Sequence, residues 1–234
     1  MLSGWNAAAI SNGTDGCTFQ SRGFDVDVLG QPMTLWDTAG FDEGETGRIP
    51  NSEALVQLYT LLRTLSDGVS LLMFVMRAPR IKSSIPENWK LFREVICQCQ
   101  VPAVIVITGL EQEENRNQWW WDNQERFQDY GIFPAGHACV TATKGKARGT
   151  GFIFDEEYRQ STQDIKKLIR STALVSPWRV PGAEWFKDTF IAVLVRKIFG
   201  KDIAGGALKQ LVSVCNMSEA DATDLAKRMR DAGV

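Results

Sequence analysis

Two near-continuous apolar runs, "DGVSLLMFVMR" at 67–77 and "VPAVIVITGL" at 101–110, constrain the fold of this chain more than any other feature. Both are rich in β-branched residues, the pattern of strands covered on both faces in a parallel sheet. "GHACVTAT" at 136–143 is a shorter strand of the same kind. Parallel strands need long crossovers, and segments 51–66, 86–99 and 112–130 carry helical spacing between the runs. This alternation predicts right-handed crossovers and a doubly wound α/β sheet with helices on both sides, a three-layer sandwich. Further helices are expected over 155–173 and 184–199, the second aligning Trp185, Phe186, Phe190, Ile191, Leu194 and Ile198 along one side.

Ahead of the first apolar run, "FDVDVLGQPMTLWD" contains two extended stretches, 24–29 and 33–37, separated by "GQP". Glycine and proline there predict a turn and hence a β-hairpin. After residue 200 the character changes. Gly200, Gly205 and Gly206 punctuate the chain, and Ser218 with Asp221 resembles an N-cap with an acidic partner. The expected organisation is one domain over 1–200 and a helical appendage over 201–234.

Charge narrows the partners. Lys+Arg 26 against Asp+Glu 28 gives a net charge of -2 over 234 residues, so no overall basic field favours nucleic acid. The five cysteines are an odd, scattered set without CxxC spacing, and only His137 is available to share a metal with them. Reduced intracellular thiols used for packing are the expected reading. No signal peptide is evident, and no apolar run reaches the roughly 18 to 20 residues that span a bilayer. A cytoplasmic location without a transmembrane segment follows as an expectation.

The chemistry gathers where strands end. "WDTAG" puts Asp37 after a strand, at the edge where open α/β sheets bind ligands. Its carboxylate could hold Mg²⁺ through water, and the Gly40 amide could approach a γ-phosphate unobstructed. Thr18 lies in a polar loop nineteen positions earlier, where a hydroxyl could complete the Mg²⁺ shell. Downstream, "VITGLE" ends a strand with Thr108, Gly109, Leu110 and Glu111. This place resembles the guanine clamp of switch GTPases, whose carboxylate accepts hydrogen bonds from the guanine N1 and exocyclic amine, a pair that adenine does not supply; Glu111 keeps a carboxylate there, and Gly109 stands where the clamp has a lysine. Thr141, Ala142 and Thr143 close the next strand at a place that resembles the Ser-Ala-Lys-like turn of switch GTPases, which implies a backbone amide at the guanine oxygen.

Thr18, "WDTAG", "GVSLLMFVMRAPRI", "VITGLE", "WWWDN" and "GHACVTATKGK" follow one another in an order that resembles fungal G-domain-containing proteins. These are similar to AIG/GIMAP-type GTPases and, more distantly, to septins, within the P-loop GTPases. The resemblance covers roughly 10–170. It implies a Ras-like sheet binding GTP/GDP with Mg²⁺ at Thr18 and Asp37, nucleotide contacts along Thr38, Ala39 and Gly40, and control of self-assembly or of a protein partner through the switch surface.

Two departures from that pattern shape the expectation. Phe41 follows the glycine where Ras-type switches carry a water-orienting glutamine, so hydrolysis should be weak or partner-dependent, with Glu43 as an acidic neighbour. No GxxxxGK[S/T] phosphate loop occurs, since Gly145-Lys146 and Gly200-Lys201 are followed by Ala147 and Asp202. In family order the phosphate loop and its strand belong before Met1, so the chain reads as an N-terminally truncated G domain, poorly stable alone and of very low nucleotide affinity. A pseudo-GTPase interaction module that binds protein instead of nucleotide is the alternative, and an ATP-binding relative is a third.

Other conspicuous features carry less. Trp119, Trp120 and Trp121 on one helix cannot all face the same way, so some should pack while at least one is exposed. "KGKARG" at 144–149 reads as a solvated loop, and His137 as structural.

Overall fold

A computed structural model describes residues 1–2, 22–37, 68–81, 84–97 and 99–179. The helices expected over 51–66 and 184–199, the appendage at 201–234 and the boundary at 200 all lie outside them.

The centre of the fold is the strand "AVIVIT". Its first five residues are buried, because β4 (Ala103–Thr108) has a strand on each side and a helical layer on each face. β3 (Leu72–Arg77) and β5 (Gly136–Cys139) flank it, both parallel, in the order β3-β4-β5. Leu72 pairs with Ala103 and Arg77 with Thr108 on one side, and Val104 pairs with Gly136 on the other. Alternation then sorts the side chains. Ala103, Ile105 and Ile107 share a face with Met76 and Cys139, and α1 (Ser84–Trp89) and α2 (Arg116–Asp129) cover it with Trp89, Trp120 and Phe127. Val106, Ala138 and Val140 point the other way, against Ile165 and Ile169 of α3 (Asp155–Thr172). Each fully buried Val or Ile stabilises the fold by about 1.5–3 kcal/mol, so β4, with four of them, contributes heavily to the core of the described residues.

The expected hairpin forms, as β1 (Arg22–Val28) and β2 (Gln31–Asp37). Its turn is tighter than "GQP" suggests. Leu29 at φ 54 and Gly30 at φ 82 make a two-residue loop of I′ character, whose twist matches the strands. The Gly30 amide donates to Asp27 Oδ1 at 2.9 Å, and Pro32 becomes a strand residue opposite Asp27. Val26, Val28, Met33 and Leu35 turn inward onto the α3 side of the core, while Thr34 donates to Asp25 Oδ1 on the outer face at 2.8 Å. The hairpin is a separate sheet: among the described residues neither β1 nor β2 is hydrogen-bonded to β3.

Three boundaries depart from expectation. The helix read as 86–99 begins at Ser84 and widens into a π-helix over Lys90–Ile96, closed by the Cys97 amide donating to the Phe92 carbonyl at 3.0 Å. Trp89 and Phe92 both pack on Phe74, at centroid distances of 4.9 and 6.2 Å. The α2 helix starts at Arg116 instead of 112, because Gly109 at φ 81 and a Leu110–Glu113 turn delay it. "KGKARG" is more ordered than a solvated loop, since β6 (Ala147–Arg148) pairs antiparallel with β7 (Gly151–Phe152).

The tryptophans divide as expected. Trp120 is buried, Trp119 half-buried and Trp121 57% exposed.

Candidate functional site

Parallel strands end together, so this sheet has one polar carboxyl edge where Arg77, Thr108 and the residues after Cys139 emerge side by side. Main-chain bonds hold the exits in line. The Ala78 amide donates to the Thr108 carbonyl at 2.8 Å, and the Val140 amide to the Ile107 carbonyl at 2.8 Å.

At the end of β4, Thr108 Oγ1 donates to the Met76 carbonyl at 3.1 Å, so its hydroxyl proton serves the edge itself. Leu110 is buried and anchors the loop; Glu111, next to it, is half-buried. At the end of β5, Thr141 is buried and fully engaged. Its amide donates to Ser161 Oγ at 2.9 Å, and its Oγ1 accepts from Arg116 Nη1 at 3.2 Å. Ala142 and Thr143 are exposed, with Thr143 Oγ1 accepting from the Gly145 amide at 3.0 Å. The structure therefore brings together Thr108, Glu111, Thr141, Ala142 and Thr143 on two neighbouring exits. Thr141 is the one whose amide is already taken, which leaves Ala142 as the better backbone candidate.

Asp37 stands exposed at the end of β2, on the separate ribbon. Arg170 in the last turn of α3 donates to Gln31 Oε1, which fixes the start of β2 near the sheet's amino edge. Thr18, Thr38, Ala39, Gly40, Phe41 and Glu43 lie outside the described residues. Of the two expected Mg²⁺ ligands only Asp37 is described, an exposed carboxylate of the right chemistry. Among the described residues no group of three His, Cys, Asp or Glu side chains could hold a metal ion.

Three residues of this edge escaped the sequence reading, Arg77, Arg116 and Ser161, and a fourth, Lys144, was read only as part of the solvated "KGKARG" loop. Arg116 did leave a signal. A cation in the first turn of α2 opposes the helix dipole, and no acidic residue offsets it there, so it needs a partner elsewhere. That partner is Thr141; Arg116 Nε is buried without an acceptor among the described residues. Lys144 lies over the rings of Phe152 and Tyr158, at 5.6 and 5.5 Å, with Asp155 Oδ1 at 3.7 Å. Burial raises the Tyr158 pKa.

The buried thiols are inert packing groups. Burial, reinforced by Cys99, pushes Cys97 up to about 12; burial pushes Cys139 to about 11, against smaller opposing effects of Trp120 and Arg116. His137 stacks on Trp120 at 4.2 Å, with Trp121 edge-on at 5.9 Å, and burial lowers its pKa below 6.5. It belongs to the core contact with α2.

The fold and this edge define a mixed α/β protein whose parallel three-stranded sheet lies between helical layers and offers a polar carboxyl edge. No protein-family model matches the chain, and comparison with curated proteins gives no match. Among the described residues no helix is long and apolar enough to cross a membrane.

Proposed function

We propose that this chain is a guanine-nucleotide-binding module of Ras-like, P-loop GTPase type, similar to AIG/GIMAP-type and septin-like proteins. One observation carries the reading: Thr108–Glu111 and Thr141–Thr143 leave adjacent parallel strands, and the Arg116–Thr141 bond joins the helix after the first to the second. A ligand seated there meets the Glu111 carboxylate and the Ala142 backbone together. Guanine matches that pair, with N1 and amine donors for Glu111 and a carbonyl for an amide. Asp37 with Thr18 would hold Mg²⁺, and Thr38, Ala39 and Gly40 would face the third phosphate. The Ras-like arrangement also calls for a strand between β2 and β3, and these two belong to separate sheets among the described residues. With Phe41 after the switch glycine, hydrolysis is weak or depends on a partner.

The second reading, a pseudo-GTPase that binds protein through the same surface, draws support from the edge's own hydrogen bonding. The Thr108 hydroxyl and the Thr141 amide are committed internally, which reduces the polar groups free for a ligand.

Calorimetric titration with Mg·GTP and Mg·ATP separates the readings. Nucleotide binding expects GTP to be preferred, with that preference lost in Glu111→Ala and affinity lowered in Asp37→Ala. Tight partner binding unaffected by Asp37→Ala, with no heat from either nucleotide at millimolar concentration, supports the interaction module instead.

A further inference from the structure

Gly109 is the first residue beyond β4, at φ 81, a conformation that favours glycine. A side chain there has no room. A Cβ on Gly109 would lie 2.8 Å from Arg77 Cγ, 3.3 Å from Arg77 Nε and 3.4 Å from the Ala78 carbonyl oxygen. The space is filled from the neighbouring strand: the Arg77 stem crosses the β4 exit and rests on the glycine backbone. Pairing of Arg77 with Thr108 fixes where it starts, and the residue is exposed at the carboxyl edge.

We propose that Arg77, seated across Gly109, is the residue on which the base of a bound nucleotide stacks. The inference rests on the nucleotide reading and adds to it a specificity-determining side chain from β3. Three facts converge. A guanidinium is planar, weakly hydrated and permanently charged, so it lies flat on an aromatic ring, whereas an ammonium offers only a point charge to its face. Its stem is held on one side by backbone, which limits the rotamers to be frozen on binding. Glu111, two residues beyond Gly109, supplies an acceptor for the edge of the same ring, so one loop pairs a stacking surface with a hydrogen-bonding group. Gly109 has a role in this: it leaves the room through which Arg77 reaches.

The test titrates wild type, Arg77→Met and Arg77→Lys by NMR with two probes, Mg·GTP and Mg·tripolyphosphate, which has the phosphates and no base. Arg77→Met keeps the stem and removes the stacking cation. It is expected to weaken GTP about 5- to 30-fold while leaving tripolyphosphate unchanged, with Arg77→Lys in between. Equal losses for both probes would place Arg77 on phosphate and overturn the proposal. So would an unchanged GTP affinity in Arg77→Met. If wild type binds neither probe, the nucleotide reading itself falls, an outcome distinct from failure of Arg77 alone. Matching thermal midpoints for the three proteins establish that the exposed substitution leaves the fold intact.

Discussion

Two glycines at opposite ends of one sheet show how differently its edges are built. Gly136 opens β5 at the amino edge, and the space above it is taken by Leu168 of α3, whose Cδ1 would lie 2.7 Å from an added Cβ. Gly109 follows β4 at the carboxyl edge, and the space above it is taken by Arg77. Both glycines admit a neighbour, yet one neighbour is a half-buried hydrocarbon and the other an exposed cation. The same contrast runs along both edges. At the amino edge the Leu72 amide bonds the Pro102 carbonyl and the Ala135 amide bonds the Ala103 carbonyl, over buried Val101 and Ile132. The carboxyl edge presents Arg77, Glu111, Ala142 and Thr143. Main-chain bonds tie the strands at both edges, and what distinguishes the carboxyl edge is the set of polar side chains it leaves reachable, which is where the proposed ligand would sit.

If that contrast is correct, damage at the two edges should separate stability from binding. The largest loss of stability is expected from Ile132→Ala at the amino edge. A fully buried isoleucine leaves a cavity costing about 2–4 kcal/mol, measured by denaturant unfolding, with ligand affinity of the folded fraction unchanged. Ser161→Ala, beneath the carboxyl edge, strands the Thr141 amide and should cost about 1–3 kcal/mol. It should also weaken binding, because the Thr141–Thr143 exit loses its tether; equal affinity would show that this exit does not form the site.

The glycines sharpen the distinction further. Gly109→Ala forces an alanine into left-handed backbone and against Arg77, for about 1–2 kcal/mol. Gly136→Ala meets only the tip of Leu168, which can rotate aside, so less than about 1 kcal/mol is expected, without effect on binding. Equal costs would contradict the difference drawn between the edges.

The smallest effect is a pH dependence near the amino end. Burial lowers the folded-state pKa of His137 below 6.5, so the folded protein resists a proton that the unfolded chain accepts. Stability is complete above pH 6.5, falls as pH drops toward the lowered value, and levels off below it. Thermal midpoints between pH 7.5 and 5.5 should show this decline, and His137→Gln should flatten it.

The sequence disclosed what repeats locally. β4 was legible as an apolar run because burial on both faces leaves no polar alternation; β3 and β5 were found by the same signal, although β3 is not covered on both faces as expected, with Val75 62% exposed. α2 and α3 were legible because helical spacing is visible over several turns. The hairpin was legible too, but its turn was placed late because Leu29, a residue that rarely adopts positive φ, supplies half of it. The π-helix after Trp89 was hidden, since helical spacing in a sequence does not distinguish i→i+5 from i→i+4 bonding. For the site, strand ends pointed to Asp37, Glu111 and Thr141–Thr143 without revealing their neighbours. Arg77 over Gly109 and Arg116 on Thr141 join residues 32 and 25 positions apart, and only the sheet register brings them together.

Amide chemical-shift mapping during titration with Mg·GTP, with Mg·ATP as the control, tests the central claim most directly. Saturable shifts are expected at 108–111 and 141–144, with unmoved amides at Val101, Ala103, Ala135 and Gly136 and a weaker response to ATP. No shift at millimolar GTP, shifts centred on the amino edge, or equal response to both nucleotides would contradict that claim.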